Sequence, residues 1–452
     1  MLDVLKIIED HAEDVLDLPA VPHTYIRIIE CNDEEEFDVN AHLQCTCQQP
    51  FESTKVAKYT IAEYKIIAQG EDTKTVYDVM LSTNSTFDYQ YSPGDTIGIL
   101  TKNDDEDVAS VIEQLSLEEI CSRIYRVEID PATKKKAAKV PSYIPPIVQI
   151  RKLLTECLDL RAIPKKLFIR ALIEYTTGET DKRFLSILCN KSGCTFDDVI
   201  LKPGFSFVKL LRHLPSCKPP LELLIEHLPR LMPRPYSIAN YHSDSEHSRR
   251  IRILFSLLDC KPGLTTSFLK NSCGTNESIY LYFRKSSCFA FTDDVLANDI
   301  VLIGVGTSIA PYLGFLEKRK QAIERCRNLE TTAWLLAGFR YEQLSYLCRE
   351  EIEQYLKSKV LTNLSVAFSR DRTTRHRYVQ DHLEANKELI TKSLIDSNCK
   401  LYVCGDGKRM IPQIETKIIE ILSNVLSISN EESKTIVADL KKNLRYVEDI
   451  WF

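Results

Sequence analysis

The chain has 452 residues with 44% hydrophobic and 27% charged side chains, and its formal net charge is −6 at neutral pH. That length exceeds a typical single core, so we expect two or three domains of ordinary globular composition. The interspersed, mildly negative charge argues against a nucleic-acid binder, whose domains usually carry a basic stripe or patch.

Residues 1–50 are acidic and predict a linker segment without catalytic chemistry. Acidic residues interrupt the apolar run at the start of the sequence, and no basic stretch precedes that run, so the pattern is untypical of a signal peptide. No later run is long and apolar enough to span a bilayer. We therefore expect a cytoplasmic protein with no membrane partner, whose 15 cysteines are mostly reduced. The close pair Cys45 and Cys47 has no matching second pair, so we predict no metal site.

Residues 51–288 predict one antiparallel β domain with a helical insertion at about 143–230. Alternating, β-branched stretches such as AKYTIAEYKIIAQ and VYDVMLSTN are typical of strands in a barrel. Stretches such as VQIRKLLTECLDL and PPLELLIEHLPRL have helical periodicity, and strands resume with RPYSIAN, RIRILFSLL and SIYLYF. The helices therefore interrupt a single β domain.

Residues 289–452 predict a second domain with a doubly wound parallel sheet. Short continuous apolar runs alternate with helices: DIVLIGVG, TTAWLLAGF, LSVAFSRD and CKLYVCGD. Strands buried on both faces are typical of parallel sheets, which bind nucleotides at the carboxyl ends of their strands.

The stretch IGVGTSIAPYLGF follows the first of these strands and opens a helix. Gly304 and Gly306 would let the backbone approach a pyrophosphate, which the helix start would attract. An ordinary strand-to-helix turn without a ligand explains the same glycines. Downstream, Ser369 and Arg370, followed by Arg377, Tyr378 and Gln380, group polar donors where the 2′-phosphate of a dinucleotide would lie; an exposed basic loop is the alternative.

Two stretches in the β domain indicate a second phosphorylated ligand. MPRPYSIAN places Arg234 and Tyr236 on one face of a strand and Ser237 on the other. KPGLTTSFL has Gly263 at a turn, with Thr265 or Thr266 as a plausible helix N-cap. A cross-strand tyrosine and an ordinary helix cap are the structural alternatives.

Six motifs occur here in the same order as in the diflavin reductase family, which the chain resembles: RPYS from Arg234, GLTT from Gly263, GVGTSIAP from Gly304, Ser369-Arg370, YVCGD from Tyr402 and the C-terminal Trp451. The resemblance runs from about Pro50 to the end of the chain, and it implies FAD and NADPH as cofactors. The implied FAD residues are Arg234, Pro235, Tyr236, Ser237, Gly263, Leu264, Thr265, Thr266 and Trp451. The implied NADPH residues are Lys74, Gly304, Gly306, Thr307, Ser369, Arg370, Arg377, Tyr378, Val379, Gln380 and Gln413. The implied catalytic residues are Ser237, Cys404, Asp449 and Trp451, with Trp451 stacked on the flavin opposite Tyr236.

The chain departs from the family pattern at several places. Ser308 stands where the phosphate loop usually has its third glycine, and Gln413 replaces an aspartate that contacts NADPH. No FMN-binding phosphate loop precedes Pro50, so we expect only the FAD and NADPH half of a diflavin enzyme.

The helical stretches LRAIPKKLFIRALIEYTT and LPSCKPPLELLIEHLPRLMPRPYS are similar to the family branch that serves cobalamin-bound methionine synthase. The resemblance implies that NADPH reduces FAD and that electrons pass through a separate FMN or flavodoxin-like protein to that enzyme. A diaphorase acting on another redox protein or free cobalamin, and a non-catalytic binding protein that retains the fold, are the alternatives.

Overall fold

The computed structural model describes residues 3–31, 37–84, 89–191, 193–242, 249–258, 263–325, 330–371, 374–396 and 398–451. Its strands, numbered in chain order, are β1 (Ile26–Glu30), β2 (Ala57–Gly70), β3 (Thr73–Ser82), β4 (Thr96–Ile99), β5 (Ile124–Ile129), β6 (Ile147–Gln149), β7 (Arg234–Ser237), β8 (Arg250–Ser256), β9 (Ile279–Arg284), β10 (Asp299–Val305), β11 (Ala333–Phe339), β12 (Asn363–Phe368), β13 (Cys399–Asp406) and β14 (Tyr446–Trp451).

Its α-helices are α1 (Val4–Asp10), α2 (Asp105–Gln114), α3 (Ile150–Glu156), α4 (Lys166–Leu172), α5 (Glu179–Cys189), α6 (Phe207–Arg212), α7 (Leu221–His227), α8 (Leu264–Ser272), α9 (Ala310–Arg325), α10 (Glu342–Ser345), α11 (Arg349–Lys357), α12 (Val379–Ala385), α13 (Lys387–Ile395), α14 (Met410–Leu426) and α15 (Asn430–Lys442). Shorter 3₁₀ segments include Leu43–Thr46, Ile173–Tyr175, Asp293–Ala297 and Gly306–Ile309, and Asp197–Leu201 is a π-helix. None of the helices in these described ranges is long and apolar enough to cross a membrane.

The chain forms two compact units, one of residues 1–50 and 100–234 and the other of residues 51–99 and 235–452. In the first unit, α2 to α7 surround an apolar core, and β1, β5 and β6 form a small antiparallel sheet. The first 50 residues, predicted as a linker, contribute α1 and β1 to this unit. A buried carboxylate holds a later part of this segment, because Glu156 accepts the backbone N–H of Leu43 at 2.7 Å.

In the second unit, the predicted β domain has a six-stranded antiparallel sheet in the order β7, β4, β9, β2, β3, β8. The Pro-Gly-Asp turn before β4 depends on Gly94, which has a φ of +98°. A Cβ there would lie 1.8 Å from the carbonyl oxygen of Phe289. Asp95 then accepts the backbone N–H groups of Ser92 and Ser286 at 2.9 and 2.8 Å.

The second half of this unit is the predicted doubly wound parallel sheet, in the order β12, β11, β10, β13, β14. Along β10, Ile300 and Leu302 enter one apolar core and Val301 and Ile303 enter the other. Because both faces are covered, the strand reads as a continuous apolar run. The predicted fold class is therefore confirmed: an antiparallel β domain with a helical insertion, followed by a parallel α/β domain.

Candidate active site

The order of the parallel strands reverses between β10 and β13. The chain moves outward from β10 to β11 and β12, and then returns to the other side of β10 with β13 and β14. Ligands of open α/β sheets bind in the crevice outside the strand ends at such a switch point. Gly304 and Cys404 are direct register partners there, so two predicted site residues from distant motifs lie side by side.

The phosphate loop leaves β10 through the 3₁₀ turn Gly306–Ile309 and continues into α9. Gly306 has a φ of +58°, and a Cβ added to it would meet open space. Its backbone is thus accessible to a phosphate. Gly304 also serves internal packing, since a Cβ there would lie 3.0 Å from both the Ser308 carbonyl oxygen and the Tyr312 ring.

Two predicted catalytic side chains converge on the carboxylate of a third. The Ser237 hydroxyl lies 3.5 Å and the Cys404 thiol 3.7 Å from Oδ2 of Asp449. β14 places Asp449 beside Cys404, because these two residues are register partners in the parallel sheet. The group joins β7, β13 and β14, so the tertiary structure assembles it from residues up to 212 positions apart.

Burial dominates the electrostatics of this group. It raises the pKa of Asp449, although the Cys404 and Ser237 hydrogen bonds and the positive charge of Arg284 oppose the shift. Burial and the neighbouring Asp449 raise the pKa of the Cys404 thiol well above its usual value. Cys404 is therefore a neutral donor at physiological pH rather than a nucleophilic thiolate.

The two predicted flavin-stacking aromatics differ in exposure. Trp451 is 47% exposed at the end of β14, two residues beyond Asp449 and hence on the same strand face. The Tyr236 ring is partly buried and meets Phe255 edge-on, with 6.5 Å between ring centroids. Arg234 and Pro235 are exposed at the start of β7.

The predicted FAD phosphate turn lies at the start of α8. Gly263 is the N-cap residue and supplies no capping side chain. The prediction that Thr265 or Thr266 caps the helix is wrong, since both follow Leu264 in the first turn. Thr266 donates to the Gly263 carbonyl at 3.1 Å, and the buried Thr265 hydroxyl has no hydrogen-bond partner among the described residues. No described hydrogen bond joins this turn to the Asp449 group.

The predicted 2′-phosphate residues cluster at the carboxyl end of β12. The Arg377 guanidinium donates to the Ser369 carbonyl at 2.8 Å and lies beside the exposed Tyr378 ring. In the first turn of α12, Gln380 donates to Gln413 of α14 at 3.3 Å. The cluster supplies guanidinium, hydroxyl and amide donors, as anion binding requires.

The remaining predicted NADPH residues lie on neighbouring elements. Thr307 belongs to the phosphate loop and Val379 opens α12. Lys74 lies at the start of β3, and in the described part of the chain no hydrogen bond or ion pair joins it to another predicted site residue.

Sequence reasoning missed two residues that shape the site. Arg284 ends β9 and opposes the raised pKa of Asp449. The buried Tyr312 hydroxyl lies 2.8 and 3.1 Å from the carbonyl oxygens of Ile303 and Tyr402, bridging the strands at the switch point. Arg284 directly follows the predicted strand SIYLYF, and Tyr312 lies inside the phosphate-loop stretch IGVGTSIAPYLGF. The sequence patterns therefore marked the right segments but did not single out these two residues.

Comparison with known proteins agrees with this arrangement. Residues 49–262 match the FAD binding domain family and residues 302–416 match the oxidoreductase NAD-binding domain family. With the fold and the site, these matches define an FAD- and NADPH-dependent flavin oxidoreductase.

Curated relatives specify the family more closely. Human methionine synthase reductase is 31% identical over 96% of this chain, and the Caenorhabditis elegans protein of that name is 26% identical over 97%. The NADPH–cytochrome P450 reductase of Dictyostelium discoideum is 28% identical over 80% of this chain and 53% of its own length. The chain belongs to the methionine synthase reductase family. It spans 66% of the length of both methionine synthase reductases.

Proposed function

We propose that Ser237, Cys404 and Asp449 form the centre at which NADPH reduces FAD. The convergence of a hydroxyl and a thiol on one partly buried carboxylate carries this proposal. It supplies fixed polar groups that are partly shielded from solvent, where they act more strongly than in water.

FAD is proposed to bind through three segments. Arg234, Pro235, Tyr236 and Ser237 of β7 would hold one part, and residues 263–266 would hold the pyrophosphate. The uncapped start of α8 fits a phosphate, because its free N–H groups need an acceptor. The orphaned Thr265 hydroxyl adds a donor there. Trp451, with nearly half of its surface exposed, offers the flat apolar face that an isoalloxazine ring would cover.

NADPH is proposed to extend from the switch point to the cluster after β12. Gly304, Gly306 and Thr307 would receive the pyrophosphate, which the open space beside Gly306 supports. The proposed adenosine-end residues are Lys74, Ser369, Arg370, Arg377, Tyr378, Val379, Gln380 and Gln413. The hydrogen bonds from Arg377 to Ser369 and from Gln380 to Gln413 support a preassembled site.

When bound, FAD accepts a hydride from NADPH and releases the electrons onward. Asp449 holds the Ser237 hydroxyl and Cys404 thiol in fixed orientations, so both donors are preorganised. The positive charge of Arg284 favours the ionised form of this carboxylate and so opposes the rise in its pKa. Trp451 would cover the flavin and would have to give way to nicotinamide, which is feasible because an offset aromatic stack contributes only about 1 kcal/mol beyond its buried area.

The proposed electron acceptor is cobalamin-bound methionine synthase, reached through an FMN or flavodoxin-like protein. The names of the relatives and their match over nearly all of this chain support it. A cytoplasmic location agrees with the cysteines, since those in the described residues are all unpaired thiols. We also propose that residues 1–50, whose α1 and β1 pack within the first compact unit, form the N-terminal linker segment that leads into the FAD-binding domain. Residues 51–288 would form that domain, with its insertion at about 143–230, and residues 289–452 would form the NADPH-binding domain. The two family matches fall largely within the FAD- and NADPH-binding domains.

The test begins with the visible spectrum of the purified protein after FAD addition, followed by anaerobic NADPH titration. We expect bleaching of the flavin band near one NADPH per FAD. Asp449→Asn should retain FAD but slow the bleaching. Glu448→Gln is a matched control, because the adjacent Glu448 contacts Lys441 at 3.0 Å on the other face of β14. Bound flavin that NADPH cannot bleach would contradict the proposal.

The acceptor requires its own experiment. Reduced protein mixed with an FMN-loaded flavodoxin-like protein and cob(II)alamin methionine synthase should restore methyl transfer, and omission of the FMN protein should abolish it. Normal NADPH bleaching without restored methyl transfer would leave the first step intact and point to a diaphorase with another acceptor.

A further inference from the structure

The turn between β2 and β3 packs against the parallel α/β half of the same unit. It runs from Gly70 to Thr73, and Asp72 in its centre has a φ of +54°. A Cβ on Gly70 would be in ordinary contact with Leu344 of α10, 3.4 Å away. The hairpin tip thus lies at the carboxyl end of β11, next to the cluster proposed for the 2′-phosphate.

Asp72 binds three donors at this position. Its carboxylate lies 3.3 Å from Arg340, 3.2 Å from the Tyr341 hydroxyl and 3.4 Å from Arg370. Arg340 also donates to the backbone carbonyl of Asp72. Two guanidinium groups and a hydroxyl around two oxygens are the donors that would equally suit a phosphate.

Other nearby carboxylates are engaged elsewhere. Asp371 accepts the backbone N–H of Glu342 at 3.0 Å, and Asp381 accepts those of Arg377 and Tyr378, each at 2.8 Å. Within the described ranges, Asp72 is the carboxylate that forms an ion pair with Arg370.

We propose that Asp72 is an internal anion occupying the 2′-phosphate position on Arg370, which NADPH must displace. Asp72 thereby sets the affinity for 2′-phosphorylated nucleotides and the selectivity over those without this phosphate. The inference rests on the proposed function, in which Arg370 binds the 2′-phosphate.

The contact is weak enough to be displaced. Arg370, Asp72 and Arg340 have side chains 52%, 42% and 36% exposed. Ion pairs this exposed contribute little, and a phosphate carries more charge than a carboxylate. When the phosphate is bound, the nearby carboxylate repels it, so removal of the Asp72 charge should strengthen binding about fivefold.

Isothermal titration of the FAD-loaded full chain at fixed salt tests this proposal, with 2′,5′-ADP and 5′-ADP as probes. Asp72→Asn suits the turn, because asparagine tolerates a positive φ. We expect about fivefold tighter 2′,5′-ADP binding and unchanged 5′-ADP binding. Glu71→Gln is the matched control: it removes the same charge from an exposed neighbour on the same turn and should leave both affinities unchanged.

Three results would overturn the role of Asp72: unchanged or weaker 2′,5′-ADP binding in Asp72→Asn, equal strengthening for both probes, or the same gain in Glu71→Gln. Arg370→Ala separates this failure from failure of the proposed function. If Arg370→Ala weakens only 2′,5′-ADP binding, the phosphate assignment stands and the Asp72 result is decisive. If it weakens neither probe, the assignment beneath the inference is wrong.

Discussion

Replacement of Ser308 by alanine should stabilise the protein. Ser308 is 3% exposed, and its hydroxyl has no hydrogen-bond partner among the described residues. The hydroxyl is near enough to Cys404 to lower the pKa of that thiol, opposing burial, but it does not meet hydrogen-bond geometry. A buried unsatisfied hydroxyl costs about 1–3 kcal/mol, so Ser308→Ala should raise the free energy of unfolding by about 1 kcal/mol.

The assay is urea unfolding followed by tryptophan fluorescence in a Trp451→Phe background. The chain has two tryptophans, so the signal then reports Trp334, which is buried in β11 and donates to Ser365 at 3.1 Å. With a urea dependence of at least about 3 kcal/mol per molar for a chain of this size, the midpoint should rise by about 0.3 M or less. Ser308→Gly should fall near the wild type, because its backbone entropy offsets the gain by about 0.5–1 kcal/mol.

The same variant decides whether the hydroxyl contacts the cofactor. Because this hydroxyl is buried from solvent, we expect that it does not contact a bound pyrophosphate. Ser308→Ala should therefore change the affinity for NADPH by less than about twofold, which is smaller than the effect of losing a hydrogen bond. A lower urea midpoint, or NADPH binding weakened by about fivefold or more, would refute this reasoning and make the hydroxyl a direct donor to the phosphate.

Three further predictions follow from single positions. Trp451→Ala should alter the bound-flavin spectrum and increase the use of NADH relative to NADPH, because the exposed ring no longer covers the flavin; an unchanged spectrum would count against stacking. Asp449→Asn should become more stable relative to the wild type as the pH rises above about 4. Asp449 of the unfolded wild type loses its proton near that pH, whereas the raised pKa keeps folded Asp449 protonated, so the free energy of unfolding of the wild type falls. Parallel curves of stability against pH for the two proteins would contradict this. Gly94→Ala should destabilise by about 3 kcal/mol, since its Cβ overlaps the Phe289 carbonyl. Both variants can be measured by thermal unfolding, with Gly204→Ala as the control. Gly204 also has a positive φ, but a Cβ there would have its nearest contact at 4.0 Å, so this variant should lose only about 1 kcal/mol of stability. Equal losses of stability in the two variants would exclude the clash as the cause.

Local patterns in the sequence determined the elements and the type of each domain. The apolar run of β10 predicted a strand covered on both faces. The structure agrees, because Ile300 and Val301 enter opposite cores. Gly304 and Gly306 marked the turn into α9 because a close backbone approach leaves a signature in one short stretch. The prediction that Thr265 or Thr266 caps α8 failed because glycine and threonine are both common N-cap residues. The local sequence does not decide which of several adjacent residues takes that position.

Tertiary pairing alone decided which distant residues meet. Asp449 lies beside Cys404 because β14 pairs with β13, and Ser237 of β7, 212 residues away, meets Asp449 because a strand of the other sheet lies against this edge. Asp72 meets Arg370 because a hairpin tip from the β domain lies against the end of the parallel sheet. A sequence pattern records the period of each strand, whereas strand order and the packing of one sheet against another depend on contacts between segments far apart in the chain.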